Sequence, residues 1–311
     1  MKIKVKPLVK GDKVAIIAPS TGTDQKSVDN AIERIKSLGL KPIEFPTIRN
    51  NYGHLSAPDA MRAEDVNEAF KRDDINGIIC LKGGYGSARI LSMLDFEMIK
   101  ANPKLFLGYS DITALHVAFN KICGLVTYHG PMASSDFTDS YTKESLIKNL
   151  FTNEPIGLYE SPDNEELISI RSGKGQGDLI GGNLSLLVST LGSPYEVDTK
   201  GKILFIEEVN EPVYKIDGML NSLSLAGKFD DCNGIILGTF TGCKRETKGY
   251  EGGFDLPLET VFENTLLQSN KPILANFRAG HNFPQPTMAF GTMIKMDADK
   301  KEIIFTESGN I

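Results

Sequence analysis

Short apolar runs alternate with longer amphipathic stretches through the first half of the chain. The apolar runs predict strands at Val14–Pro19, Pro42–Phe45, Ile75–Leu81 and Leu105–Gly108. The amphipathic stretches predict helices at Gln25–Leu38, Ala57–Lys71 and Ile112–Ile122. Strands and helices that alternate in this way form a parallel sheet covered by helices. The pattern therefore predicts an α/β fold for this half.

The regular pattern breaks between residues 136 and 177, where turn formers and charged residues prevail. Beyond that region, strands are predicted at Ile203–Ile206, Gly234–Leu237, Ile273–Phe277, Thr292–Met296 and Glu302–Thr306. Helices are predicted after Asn183, across Ile216–Leu225 and near Leu258–Leu267. A length of 311 residues favours two domains. We predict an N-terminal domain at 1–150, a linker region at 151–177 and a C-terminal domain at 178–311.

The composition narrows the class of partner and compartment. The net charge is −6 and no long block of Lys and Arg occurs, so no nucleic-acid partner is indicated and a small molecule or peptide is favoured. The four cysteines are widely spaced without a C-x-x-C pair, which fits a reduced compartment. No apolar run has the length of a signal-peptide core or a bilayer span. We predict a cytoplasmic protein without a membrane partner.

Two glycine-marked turns follow predicted strands, at the sheet edge where parallel sheets bind ligands. The turn Leu107–Asp111 runs from a strand directly into a helix, which places Ser110 as in a nucleophile elbow. An N-cap role for Ser110 or Asp111 explains this turn equally well. The glycines of Lys82–Gly86 allow consecutive backbone N–H groups to face a developing oxyanion, although a phosphate cradle or a plain tight turn fits the same residues.

A serine nucleophile needs a base, and the chain has four histidines. His54 lies in a polar stretch, which is typical of a surface residue. His116 falls inside a predicted helix, where a structural role is favoured. His129 closes an apolar run and is one candidate base. His281 is the other, because it follows a predicted strand in a loop shaped by glycine and prolines.

The imidazole in turn needs an acceptor that fixes its tautomer and stabilises its cation. Glu207 and Glu208 end an apolar strand, and either could serve, although charges after a strand are commonly only solvated. The two acids become candidates through their place in the chain, since a serine, an acid and a histidine follow three predicted strands in that order.

Eight segments, in one order along the chain, carry a resemblance to a known family. They are VAIIAPS at 14–20, ICLKGGYGSARIL at 79–91, LGYSDIT at 107–113, HGP at 129–131, LIGGNLSLL at 179–187, LFIEEVNEPVYKID at 204–217, GTFTGC at 238–243 and GHNFPQP at 280–286. Together they resemble the LD-carboxypeptidases, a serine peptidase family that includes murein tetrapeptide carboxypeptidases and microcin C self-immunity proteins. The resemblance extends over nearly the whole chain.

This resemblance implies an α/β fold with an N-terminal Rossmann-like parallel-sheet domain and a C-terminal β-rich domain. It implies a catalytic triad in which Ser110 comes from the first domain and Glu207 and His281 from the second. Glu207 is preferred to Glu208 because the family pattern places the catalytic acid first. The implied reaction needs no metal and no organic cofactor, and family members form homodimers.

The resemblance also places the oxyanion hole at the backbone N–H groups of Gly84 and Asp111. Gly83 and Asn183 are candidates for substrate binding. Asn183 and Arg89 are candidates for the terminal carboxylate of the substrate, although helix capping and a surface charge are the simpler interpretations of these two.

The implied activity is hydrolysis of the amide bond between an L-centre and a terminal D-amino acid, as in muropeptide tetrapeptides during peptidoglycan recycling. One alternative is a microcin-type immunity peptidase, which cleaves peptidyl or aminoacyl nucleotides and often holds the base with tryptophan. This chain contains no tryptophan. A second alternative is a non-catalytic ligand-binding α/β protein in which Ser110 is only a cap. A metal-dependent carboxypeptidase is disfavoured, because the histidines show no H-E-x-x-H or other close ligand spacing.

Overall fold

The computed structural model describes residues 2–162, 165–245 and 255–311. The chain divides into two compact units. The first comprises Met1–Ile156, Pro286–Thr292 and Glu307–Ile311, and the second comprises Gly157–Gln285 and Met293–Thr306. The predicted division at 1–150, 151–177 and 178–311 stays a prediction, and the compact units follow a different partition in which two late segments join the first unit.

The strands and helices of the described residues follow in chain order. The strands are β1 Lys13–Ile17, β2 Lys41–Glu44, β3 Gly77–Cys80, β4 Leu105–Gly108, β5 Thr127–His129, β6 Gly157–Leu158, β7 Ile168–Arg171, β8 Lys174–Asn183, β9 Ile203–Val209, β10 Gly234–Thr241, β11 Ile273–Ala275, β12 Met288–Phe290, β13 Met293–Asp297 and β14 Glu302–Phe305. The α-helices are α1 Gln25–Ser37, α2 Asp59–Lys71, α3 Phe96–Ala101, α4 Thr113–Ala118, α5 Ser140–Phe151, α6 Leu184–Ser189, α7 Val213–Leu225, α8 Lys228–Asp231 and α9 Leu258–Leu266.

The first unit is built on a sheet with the strand order β12-β5-β4-β3-β1-β2. Its strands are parallel except for β12, which pairs with β5 in the antiparallel sense. All residues of β3 and β4 are buried, as expected for central strands of a parallel sheet with both faces covered. The predicted Rossmann-like parallel sheet is confirmed.

The second unit contains a sheet with the strand order β6-β14-β13-β8-β9-β10-β11-β7. Strands β8 to β11 are parallel neighbours, and antiparallel strands flank them on both sides. Within the parallel part, the register sets Asn183 of β8 beside Glu207 of β9. The predicted β-rich character of the second half is confirmed.

Most predicted elements differ from the structure by a few residues at an end, and three predicted segments differ for an identifiable physical reason. The predicted helix Ile112–Ile122 consists of the short helix α4, a preceding 3₁₀ turn and a π-helical turn that ends at Gly124, whose φ of 70° is left-handed. The predicted strand Ile273–Phe277 ends two residues early, because Asn276 has a φ of 62° and leaves the extended conformation. The predicted linker region contains β6, β7 and the start of β8. Its charged and turn-forming residues conceal the two edge strands β6 and β7.

In the described part of the chain, no helix is long and apolar enough to cross a membrane. The cysteines Cys80, Cys123, Cys232 and Cys243 are all free thiols.

Candidate active site

Ser110 lies directly after β4, where the chain turns toward α4. Its φ of 65° falls in the left-handed region, which residues other than glycine adopt rarely and at a cost. Tyr109, rather than Ser110, takes the N-cap position of the 3₁₀ turn that follows. A serine held in this conformation between a strand and a helix has the geometry of a nucleophile elbow. The local structure thus favours the elbow over the N-cap interpretation.

The glycine turn Lys82–Gly86 lies against this serine. Gly84 and Gly86 have φ values of 115° and 124°, which require glycine. A methyl group added to Gly83 would lie 2.8 Å from Cβ and 2.9 Å from Oγ of Ser110, and 3.4 Å from the backbone N of Asp111. The close approach of Gly83 to Ser110 therefore leaves no room for a side chain at position 83.

If Ser110 is the nucleophile that the resemblance implies, Gly83→Ala should lower kcat by about 10²-fold, because the added methyl forces Ser110 away from its position. The backbone of Gly83 does not have a left-handed φ, so alanine causes no backbone strain there. The effect should therefore be on the position of Ser110 rather than on folding. Peptidase assays and thermal melting measure both quantities. Gly218→Ala is the control, since a methyl there meets nothing within 4 Å. An unchanged kcat in Gly83→Ala would contradict the described packing.

Three of the histidines lie in the first unit. His116 is fully buried in α4, its Nε2 lies 2.9 Å from the carbonyl of Gly108, and burial lowers its pKa to about 4. This is the structural role expected for it. His129 is also fully buried, with its ring 5.2 Å from that of Phe290. His54 is exposed, as predicted, and its ring lies 5.6 Å from that of Tyr85.

The fourth histidine pairs with an acid of the second unit. Nδ1 of His281 lies 2.7 Å from Oε2 of Glu207, which is fully buried on β9. Because a carboxylate accepts, Nδ1 carries the hydrogen, and this arrangement leaves Nε2 as the basic nitrogen. The pair has the geometry of the base and the orienting acid of a serine hydrolase.

The loop before His281 depends on Gly280. This residue has a φ of 133°, and a methyl group there would lie 2.9 Å from Oε2 of Glu207 and 2.5 Å from Oγ1 of Thr239. The backbone N–H of Thr239 donates to the carbonyl of Ala279 at 2.9 Å, which ties the loop to β10. The sequence analysis assigned no role to Thr239, although this residue lies in the GTFTGC segment at 238–243.

Glu208 has different partners from Glu207. Its carboxylate accepts from Nδ2 of Asn183 at 2.8 Å, and from the backbone N–H and hydroxyl of Ser185 at 2.8 Å and 2.6 Å. It also accepts from the backbone N–H of Val209 at 2.8 Å. Successive side chains of a strand point to opposite faces, so only one of the two acids can reach His281.

The two residues suggested for the substrate carboxylate already have protein partners. Asn183 caps α6, since its side chain accepts from the backbone N–H of Leu186, and its amide donates to Glu208. Arg89 donates to the carboxylate of Asp59 at 2.8 Å. These contacts match the simpler interpretations, and a substrate role for either residue stays a prediction.

Charge and burial act in opposite directions on the histidine–acid pair. Burial lowers the pKa of His281, but the hydrogen bond with Glu207 and the negative charges of Glu207 and Glu208 outweigh it and raise the pKa above its ordinary value. Burial raises the pKa of Glu207, and the bond with His281 opposes that rise. Among the described residues, no group of three or more His, Cys, Asp or Glu side chains could hold a metal ion.

Comparisons with known proteins cover both units. Residues 14–130 match the model of the LD-carboxypeptidase N-terminal domain, and residues 176–296 match that of the LD-carboxypeptidase C-terminal domain. The "Probable murein peptide carboxypeptidase" of Bacillus subtilis (strain 168) is 39% identical over 311 residues, which cover 98% of this chain and 94% of that protein.

Two solved structures show the same fold over nearly their full length. The microcin C7 self-immunity protein in its wild-type apo state has a TM-score of 0.88 and 27% identity, covering 99% of this chain and 100% of that chain. A muramoyltetrapeptide carboxypeptidase from Oxalobacter formigenes has a TM-score of 0.81 and 27% identity, covering 95% of this chain and 99% of that chain.

Proposed function

This chain belongs to the LD-carboxypeptidase family, and we propose that it is a serine carboxypeptidase that releases the terminal D-amino acid from muropeptide tetrapeptides. The observation that carries the proposal is the 2.7 Å bond between His281 and the buried Glu207, which leaves Nε2 of the imidazole as a base. The left-handed elbow at Ser110 supports the matching nucleophile. The 39% identity to a protein named as a murein peptide carboxypeptidase supports the substrate.

In the proposed mechanism, Oγ of Ser110 attacks the carbonyl of the L-D amide bond while Nε2 of His281 takes its proton. The backbone N–H groups of Gly84 and Asp111 stabilise the resulting oxyanion. The histidine then gives the proton to the departing amine, which leaves as the free D-amino acid. Water attacks the acyl-enzyme by the same route, and Glu207 stabilises the imidazolium in both steps.

A microcin-type peptidase is the second candidate, because the microcin C7 self-immunity protein shares the fold at a TM-score of 0.88. The absence of tryptophan from this chain favours the muropeptide. Incubation with a muropeptide tetrapeptide and with an aminoacyl nucleotide conjugate, followed by mass spectrometry, separates the two. We expect release of the terminal D-amino acid. Cleavage of the nucleotide conjugate alone would replace the proposed substrate class.

The pH dependence follows from the raised pKa of His281. Below this pKa the imidazole is protonated and cannot accept the proton of Ser110, so kcat/KM should rise with pH and level off above it. Since Glu207 raises the pKa, we expect the midpoint above the ordinary histidine value of about 6.5. A midpoint below that value would contradict this coupling, provided that thermal melting shows a folded enzyme across the range.

The proposal includes a homodimer in the cytoplasm. The homodimer follows from the family resemblance. The cytoplasm follows from the composition, and the free cysteines fit a reducing compartment. Sedimentation equilibrium measures the first, and fractionation of the native host measures the second. A monomer, or enrichment outside the cytoplasmic fraction, would remove that part of the proposal.

A further inference from the structure

Two buried ionic side chains of the first unit have no part in the proposed triad. Arg62 on α2 is fully buried, and Asp111 is 1% exposed. Burying a charge is costly unless hydrogen bonds compensate for its lost hydration. The partners of these two charges therefore indicate what they hold in place.

Arg62 binds backbone carbonyl groups. Its guanidinium donates to the carbonyls of Pro19, Gly86 and Ala57, at 2.8 Å for Gly86 and 3.1 Å for Ala57. It also pairs with the carboxylate of Asp59 at the start of α2. The arginine thus joins the chain after β1 to the end of the glycine turn.

Asp111 binds the same two segments through their donors. Its carboxylate accepts from the hydroxyl of Ser20 at 2.5 Å, and from the backbone N–H groups of Gly86 at 3.2 Å and Ser87 at 2.8 Å. The hydroxyl of Ser87 donates back to the carbonyl of Asp111. The guanidinium of Arg62 therefore binds carbonyl groups of segments 19–20 and 86–87. The carboxylate of Asp111 binds hydrogen-bond donors of the same two segments.

This double attachment fixes the glycine turn against the serine. Asp111 follows Ser110 directly in the chain, so each bond from its carboxylate to Gly86 and Ser87 ties the turn to the nucleophile. Gly83, in the same turn, is the residue whose added methyl would lie 2.9 Å from Oγ of Ser110. Small shifts of this turn would therefore move the proposed oxyanion donor of Gly84 relative to the hydroxyl.

We propose that Asp111 and Arg62 are positioning residues. Their side chains hold the glycine turn and the adjoining Ser87 in place for oxyanion stabilisation at Ser110. The proposal rests on the proposed function insofar as Ser110 is the nucleophile, but it does not depend on the peptide substrate. Since an oxyanion hole acts on the transition state, loss of the attachment should lower kcat more than it changes KM.

Asp111→Asn is the main test. In either orientation, the new amide NH₂ faces a donor that the carboxylate accepted, namely the N–H of Gly86 or that of Ser87. We measure phosphonylation of Ser110 by a fluorophosphonate, kcat and KM for the tetrapeptide, and thermal melting. We expect phosphonylation and kcat to fall together by about 10- to 100-fold, with KM changed less than about 3-fold.

Asp65→Asn is the matched control. Asp65 is a buried acid of the same unit, and its carboxylate accepts from the backbone N–H and the hydroxyl of Thr47 at 2.8 Å and 2.6 Å rather than from the glycine turn. It should lower the melting temperature without changing phosphonylation. A purely structural role for Asp111 predicts the same behaviour in both variants. Wild-type phosphonylation in folded Asp111→Asn would therefore overturn the proposal.

Two milder variants keep the test decisive if Asp111→Asn does not fold. Ser20→Ala removes one donor to the carboxylate, and Arg62→Lys removes the planar fork that reaches several carbonyls. Both should slow phosphonylation by at least about 3-fold, and wild-type rates in both would overturn the proposal.

The proposed function fails separately. A wild-type enzyme that is phosphonylated at Ser110 but releases no D-amino acid would remove the muropeptide substrate. The phosphonylation ratios would still decide the role of Asp111 and Arg62. Absence of any labelling at Ser110 in the wild type would overturn the nucleophile and this inference together.

Discussion

Ser110→Ala should lower release of the terminal D-amino acid by about 10⁴-fold or more, because without the hydroxyl no acyl-enzyme can form. Labelling by a fluorophosphonate should disappear in the same variant. Mass spectrometry of the intact protein and of the reaction products measures both. Ser37→Ala, at the exposed end of α1, is the control and should behave as wild type.

Ser110→Gly adds a test that does not depend on the substrate. The serine has a φ of 65°, a conformation that costs a side-chain-bearing residue roughly 1 kcal/mol and glycine almost nothing. We therefore expect Ser110→Gly to be as inactive as Ser110→Ala but to unfold at a higher temperature than Ser110→Ala. Retention of D-amino acid release in either variant would refute the mechanism. Equal melting temperatures would refute only the strain at the elbow.

Glu207→Gln should mainly lower the activity, whereas Glu208→Gln should mainly lower the stability of the fold. The first removes the charge that stabilises the imidazolium of His281, so we expect kcat to fall by about 10³-fold or more while the fold persists. It should also move the midpoint of the pH profile downward, because the main source of the raised pKa of His281 is lost. Steady-state kinetics between pH 5 and 9 would measure both effects, a range of about two units on either side of an ordinary histidine pKa.

Glu208→Gln serves as the matched control in the neighbouring position. Its carboxylate accepts from Asn183, Ser185 and Val209, so the amide NH₂ of glutamine must face a donor. We expect a loss of about 1–3 kcal/mol in the free energy of unfolding and less than about a 10-fold change in kcat. If Glu208→Gln were inactive and Glu207→Gln active, the two acids would have to exchange roles.

Local patterns were sufficient for much of the fold. Strand β4 has the predicted bounds, and α1 ends one residue from its predicted end, because a continuous apolar run and amphipathic periodicity reflect burial directly. The failures lie where backbone conformation overrides pattern. Asn276 ends β11 through a left-handed φ, and the polar segment at 151–177 hides edge strands that need little apolar surface.

The proposed site divides in the same way. The sequence alone predicts Ser110 at a strand-to-helix turn and a glycine turn that could stabilise an oxyanion. It also reduces the candidate bases to His129 and His281. These features depend on the order of neighbouring residues, which a pattern can report. The resemblance to a family then chose one histidine and one acid.

The tertiary structure decided what depends on residues far apart in the chain. It pairs His281 with Glu207 across 74 positions, whereas Glu208 accepts from Asn183 and Ser185. It also brings Arg62 and Asp111 to one turn, although no motif contains both. Strand alternation predicts that two adjacent acids face opposite ways, but only packing determines which face meets the histidine, because that choice is made by contacts between distant segments.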